Sequence, residues 1–148
     1  MPLNFPPYSL KLRHHLDKQE VWDIVRKRWV VLTPEELVRQ HLIHYLHEDK
    51  GYPLSLMAVE KGLKVNGMNR RTDLVIYNAQ LKPLMIAECK APEVKISGST
   101  FDQAARYNLS LQVPYLLITN GMEHFCCSVD LQEGKVNYLK SIPLFTEL

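Results

Sequence analysis

The stretch RTDLVIYNAQLKPLMIAECKAP, residues 71–92, decides how this chain is read. Asp73 to Tyr77 and Leu84 to Lys90 are two short apolar runs, and Asn78 to Pro83 between them has the composition of a turn. That pattern predicts a β-hairpin. Buried strands rarely carry charge. Yet the first run opens on Asp73, and the second ends in Glu88-Cys89-Lys90 before Pro92 stops it. In an antiparallel pair the start of the first strand lies beside the end of the second. Asp73 is therefore expected close to Glu88 and Lys90. Glu88 and Lys90 are two residues apart and share a face of the sheet.

Two adjacent carboxylates repel, and one would ordinarily be protonated. A divalent cation relieves this. Mg²⁺, or Mn²⁺ in its place, takes a few carboxylate oxygens, keeps several waters and suits phosphate substrates. The backbone carbonyl of Cys89, between the two side chains, is a further candidate ligand. Lys90 is then placed to face a metal-bound water or a scissile phosphate, where a compact positive charge supports the transition state. Those are the parts that metal-assisted phosphodiester hydrolysis needs. Taken alone, the same three residues also describe a plain cross-strand salt bridge.

Outward from the hairpin, the chain alternates helical and strand patterns. Residues 1–16 are Pro-rich and read as an N-terminal arm or edge strand. Asp17 followed by Glu20 has the spacing of a capping box, so a short helix is expected over Lys18 to Lys27. Trp29 to Leu32 reads as extended. Thr33-Pro34-Glu35-Glu36 is a strong helix start, with Thr as N-cap and Pro in the first turn. That helix is expected to run to about Asp49, with Val38, Leu42, Tyr45 and Leu46 on its apolar face and Gly51-Tyr52-Pro53 ending it. Leu54 to Glu60 and Leu63 to Val65 read as strand or helix–strand boundary, and Asn66-Gly67 as a turn. Thr100 to Leu111 reads as a helix. Tyr115 to Thr119, His124 to Val129 and Lys135 to Lys140 read as strands. The order implies a single α/β domain over residues 1–148 with a mixed central β-sheet flanked by helices.

Bulk composition narrows the class of function. With 148 residues, 46% apolar and 23% charged, the chain matches an ordinary globular domain. Its net charge of +2 means that any nucleic-acid contact must come from local patches, such as Arg26 to Arg28 or Arg70-Arg71. Three cysteines with no C-x-x-C spacing support neither a disulfide framework nor a structural zinc site. The start resembles no signal peptide, and no apolar run reaches bilayer length. A cytoplasmic protein with reduced thiols and no membrane association is expected. His41, His44 and His47 read as helix-surface residues, and Cys126-Cys127 as a buried strand pair with one side chain on each face.

Five stretches together, LTPEELVRQHL, RRTDLVIY, MIAECKAP, QAARYN and LLITNGMEHFCC, resemble the PD-(D/E)xK nuclease superfamily. More closely, they resemble the N-terminal nuclease domain of type I restriction enzyme R (HsdR) subunits. The likeness runs from about Trp22 to Val129. It implies a restriction-endonuclease-like core in which Asp73 and Glu88 bind the metal and Lys90 is the catalytic lysine. It also implies that Gln103 and Tyr107, one helical turn apart on one face, are the accessory Gln-x-x-x-Tyr pair. A further acid on the first helix is expected; Glu36 is the first choice and Glu35 the second. Glu36 also fits the plain role of a capping-box glutamate. Where the superfamily is named for Pro-Asp, this chain has Thr72-Asp73. Arg39, Arg70 and Arg71 are candidate nucleic-acid contacts, with a simple pair to Glu35 or Glu36 as the other reading of Arg39. No Walker-type G-x-x-x-x-G-K-[ST] occurs, so no ATP-driven motor is expected in this polypeptide.

The expected function is a Mg²⁺- or Mn²⁺-dependent endonuclease-like domain acting on DNA. The alternatives are a non-catalytic nucleic-acid-binding or complex-assembly module of the same fold, and an RNA-directed nuclease. A homodimer and a larger nuclease or helicase complex both remain open as assemblies.

Overall fold

The computed structural model describes residues 2–65 and 67–148; of Val65, Met68 and Arg70 only the backbone is described. After an irregular segment, β1 (Leu12–His15), β2 (Lys18–Asp23) and β3 (Arg28–Val31) form a three-stranded antiparallel sheet. The helix expected over Lys18 to Lys27 is therefore replaced by strand and turn. The reason lies in the two turns. Leu16 (φ 49) and Asp17 (φ 62) both take the left-handed conformation between the paired residues His15 and Lys18. Such a two-residue turn suits a tight hairpin and cannot open a right-handed helix. At the next turn Asp23 Oδ1 accepts the backbone N–H groups of Val25 (2.7 Å) and Arg26 (2.9 Å). Asp23 is thus a turn residue of the second hairpin, as Asp17, whose spacing to Glu20 resembles a helix cap, is of the first.

α1 (Pro34–His44) begins as the sequence implies, with Thr33 Oγ1 accepting the Glu36 N–H at 3.0 Å. A π-helical turn over Tyr45–Asp49 extends it, and Gly51 (φ 75) leaves the helix in a conformation that favours glycine. β4 (Met57–Val59) follows, then a hairpin of β5 (Gly62–Val65) and β6 (Met68–Arg71). Asn66 of the expected turn lies outside the described residues; Gly67 has φ 77. β7 (Leu74–Tyr77) and β8 (Pro83–Cys89) form the hairpin read from the opening stretch, paired Leu74 to Ala87 and Val75 to Ile86. α2 (Gly98–Leu111) then crosses to β9 (Tyr115–Thr119), which runs parallel to β8. β10 (His124–Asp130) and β11 (Lys135–Leu139) complete a six-stranded sheet in the order β11-β10-β9-β8-β7-β4.

The two faces of this mixed sheet are covered by different helices. Leu74, Ile76, Met85, Ala87, Leu117 and Cys126 share a core with Val38, Leu42, Ile43 and Leu46 of α1 and its extension. Leu116, Ile118, Cys127 and Val129 pack instead with Phe101 and Ala105 of α2. The strand period of two produces this division, and Cys126 and Cys127 fall on opposite faces, as the sequence implied. Burial drives their thiol pKa values up, to about 12 and about 11, which leaves them inert as nucleophiles at neutral pH.

The first residues are not a free arm. Asn4 N donates to Gly121 O at 2.7 Å, and the Phe5 ring stacks on His124 at 4.4 Å. A Cβ on Gly121 would fall 2.8 Å from Leu3 Cδ2, so glycine at this turn makes room for the N-terminal segment. Among the described residues, no helix is long and apolar enough to cross a membrane.

Candidate active site

Asp73 immediately precedes β7, and the Leu74–Ala87 pairing carries it to the end of β8. There its Oδ2 accepts the backbone N–H of Cys89 at 2.8 Å. Glu88 and Lys90 flank Cys89. Glu88 pairs with Ile118 of β9, and the Lys90 N–H continues the ladder to Thr119 O at 2.8 Å. Asp73 and the E-x-K segment therefore meet at one rim of the sheet. Each of these three residues is half-buried. Between them the Cys89 side chain points into the core under α1, only 1% exposed. Burial, followed by the Asp73 carboxylate, pushes its thiol pKa well up.

α1 brings two acids to this rim and uses them differently. Glu36 is 5% exposed, and its oxygens accept from Arg39 Nε (2.9 Å), Arg39 Nη2 (2.7 Å), Arg26 Nη2 (2.8 Å) and Gln40 Nε2 (3.0 Å). Burial alone would raise its pKa, but the hydrogen bonds from Arg39, Gln40 and Arg26 reverse this and bring it to about 2. Glu36 is thus the anionic centre of a buried ion-pair network. Glu35 is exposed. Its pKa is raised, first by partial loss of water around the carboxylate and next by the Asp73 carboxylate, while Arg39 and Lys90 oppose the shift. It is therefore Glu35 that shares the electrostatic neighbourhood of Asp73 and Lys90.

Arg39, expected as a nucleic-acid contact, is 6% exposed. Besides Glu36 it meets Glu60 Oε1 at 3.3 Å, and its Nη1 stands 3.6 Å from Asp73 Oδ1. Arg71 is exposed, with Nη2 donating to Glu60 Oε2 at 2.7 Å. The Arg70 side chain lies outside those described. On α2, Gln103 is exposed, whereas Tyr107 is half-buried and packs on the cluster that holds Val75 and Ile86. Tyr107 thus covers the sheet face on which Ile86 precedes Glu88 by two residues.

Sequence reading missed the partners that fix this rim: Asp23, Arg26 and Glu60. Arg26 sits in the β2–β3 turn. It binds Asp23, then reaches Glu36 and Glu60 (2.9 Å). In the sequence it belongs to a basic triplet that resembles solvated surface, and only tertiary contact shows otherwise. The helical histidines are also locally engaged: ring nitrogens of His41, His44 and His47 face Leu37 O, Glu48 and Tyr52 O at 2.8, 3.0 and 2.8 Å.

Among the described residues, no group of three or more His, Cys, Asp or Glu is close enough to hold a metal ion as it stands. The donor chemistry at the rim nevertheless fits a hard divalent cation. It consists of oxygen donors, the carboxylates together with the Cys89 carbonyl, and the Asp73 carboxylate disfavours the charge of Glu35.

A mixed α/β sheet between two helices, with acids and a lysine gathered at a strand end, defines a restriction-endonuclease-like domain. The chain belongs to the family described as type I restriction enzyme R protein N terminus (HSDR_N), whose model matches residues 34–143. Its fold is similar to a fragment of what is described as an HsdR subunit of a type I restriction enzyme from Vibrio vulnificus YJ016. The TM-score is 0.51 at 20% identity, and the match covers 78% of this chain and 25% of that one. The match thus spans about a quarter of the length of that chain. No curated protein matches the chain.

Proposed function

We propose that this domain is a metal-dependent endonuclease that hydrolyses phosphodiester bonds of DNA, using Mg²⁺ or Mn²⁺. One observation carries this reading: antiparallel register sets Asp73 beside the end of β8, where its Oδ2 accepts the Cys89 N–H at 2.8 Å between Glu88 and Lys90. A purely structural salt bridge between Lys90 and its neighbours has no use for a second and third carboxylate whose charges oppose each other. Family membership supports the same chemistry.

Asp73 and Glu88, with the Cys89 carbonyl, would hold the cation. Glu35 is a better fourth donor than Glu36, because four protein donors already occupy the Glu36 oxygens. When bound, the cation supplies Lewis-acid polarisation of the phosphate and a more acidic water. The chain's own residues do the rest. The Cys89 N–H fixes one Asp73 oxygen and so the direction of the other. Arg39 stands behind Asp73, with Nη1 3.6 Å from Oδ1. Lys90 presents its ammonium to the charge that builds on the phosphate oxygens. Gln103 and Tyr107 would orient substrate from α2. Assembly with a second copy or with other restriction subunits belongs to the same proposal.

The test is incubation of the protein with supercoiled plasmid in Mg²⁺ or Mn²⁺, beside an EDTA control and a Lys90→Ala variant. Cleavage that disappears in both controls is the expected result. Cleavage that survives Lys90→Ala, or DNA binding without cleavage under either metal, would overturn the reading.

A further inference from the structure

Charge is unevenly placed along the chain. Residues 1–32 carry six Lys and Arg against three Asp and Glu, which leaves residues 33–148 with 12 against 13. The positive excess therefore lies in the β1–β3 sheet, ahead of the residues matched by the family model. Alternation sorts that sheet into two unlike faces. Val21 is fully buried on one. On the other, Arg13 is paired across to Glu20, His15 to Lys18 and Trp22 to Trp29, and Trp22 N donates to Lys11 O at 2.8 Å. Lys11, Arg13, His15, Lys18 and both tryptophans thus share a face, and all four basic residues are exposed.

The cations on this face are held in place. The Arg13 guanidinium lies 4.4 Å over the Trp29 ring, and Lys11 Nζ is 5.5 Å from the centres of both Trp22 and Trp29. The two rings meet edge to face at 5.5 Å. Ring contacts of this kind fix a long side chain without neutralising it; Arg13 is in addition ion-paired to Glu20 on the same face, its Nε donating to Oε1 at 2.7 Å. Nearer the site, Arg39 is buried against Glu36 and committed there. The sheet itself is fastened to the site's own helix. Arg26 of its second turn donates to Glu36, and β3 runs through Leu32 into Thr33, the cap of α1.

We propose that the outer face of the β1–β3 sheet is a DNA-binding surface. Lys11, Arg13 and Lys18 meet backbone phosphates and hold the duplex beside the rim at the end of β8. The choice of DNA as partner rests on the nuclease reading above. The contacts are to phosphates, so they set position and affinity rather than sequence preference.

The test measures binding of the full chain to a labelled duplex by fluorescence anisotropy in EDTA, across a salt series. The wild type is compared with Lys11→Gln/Arg13→Gln/Lys18→Gln and with a distant control, Lys82→Gln/Lys135→Gln/Lys140→Gln. Each lost phosphate contact lowers the slope of log K against log salt by about 0.9. The sheet variant should therefore lose about 2 to 3 from the slope, while the control keeps the wild-type value. A charge-retaining Lys11→Arg/Arg13→Lys/Lys18→Arg variant should also keep it, which separates lost charge from lost fold. Equal slopes for wild type and sheet variant, or no wild-type binding at all, overturn the proposal. The nuclease reading is judged separately by plasmid cleavage in metal. Binding that depends on the sheet, without cleavage, would sink that reading and leave this one standing.

Discussion

Arg39 joins the structural acid to the acid of the site: its Nη1 stands 3.6 Å from Asp73 Oδ1 while Nε and Nη2 bind Glu36. Burial works against its charge, and the Glu36 carboxylate outweighs burial, so the Arg39 pKa is raised. Breaking a buried ion pair from one side costs about 3–5 kcal/mol where the other charge is left bare; Arg26 and Gln40 still hold Glu36 here, so the cost falls to the lower end of that range. Arg39→Met is therefore expected to lower the unfolding free energy by roughly that amount in urea titrations. A loss under about 1 kcal/mol, the range of an exposed pair, would contradict the geometry.

The two neighbouring acids of α1 should separate activity from stability. In Glu35→Gln a carboxylate that Asp73 disfavours is replaced by a neutral amide. Plasmid cleavage should fall to background, while the thermal midpoint of the metal-free protein stays level or rises. Glu36→Gln leaves Arg26 and Arg39 short of their shared anion. It should lower the midpoint strongly in any buffer near neutrality. The opposite assignment, with Glu36→Gln stable but inactive, would place the metal on Glu36.

Acid should reveal the same network. The Glu36 pKa falls from 4.5 to about 2 in the folded chain, so the native state favours the ionised form. A depressed carboxyl contributes stability that is present above its unfolded value and is lost as pH falls through its folded value. Stability should thus decline between about pH 4.5 and pH 2, by an amount on the order of 3 kcal/mol for this group. Chemical denaturation at stepped pH reads the slope. In Glu36→Gln the decline over that window should be shallower than in the wild type.

Much of the fold was legible because it is local. The β7–β8 hairpin announces itself by apolar runs around a turn, and α1 by Thr33-Pro34-Glu35-Glu36, whose cap bond forms as expected. The meeting of Asp73 with the E-x-K segment follows from antiparallel register alone. What escaped the sequence is tertiary. Glu36 looked like the free acid of the first helix, but its partner Arg26 comes from ten residues upstream, across a turn no local pattern placed. For Arg39 the sequence left a phosphate contact and a pair with Glu35 or Glu36 both open, because helix position does not say which side a neighbouring sheet will cover; the pair with Glu36 is the one formed. The error at residues 18–27 came from a spacing, Asp17 to Glu20, shared by helix caps and hairpin turns. Backbone sign at Leu16 and Asp17 separates the two, and side-chain identity at Leu16 gives no hint of it.

That turn offers the last prediction. Leu16 is 82% exposed and sits at φ 49, with Asp17 following at φ 62. A branched apolar residue in the left-handed region carries about 1–2 kcal/mol of steric strain, and asparagine tolerates the region far better. Glycine at the next position relieves the remaining strain, and Asn-Gly is a favoured pair for a two-residue hairpin turn. Leu16→Asn/Asp17→Gly should therefore stabilise the chain, by about 0.5–1 kcal/mol after glycine's entropy in the unfolded state is set against the relief. The result separates two structures for residues 12–31. If Lys18 to Lys27 were helical with Asp17 as its cap, the same change would weaken the cap and destabilise the chain by about a few tenths of a kcal/mol. A rise in the urea midpoint supports the hairpin, and a fall would refute it.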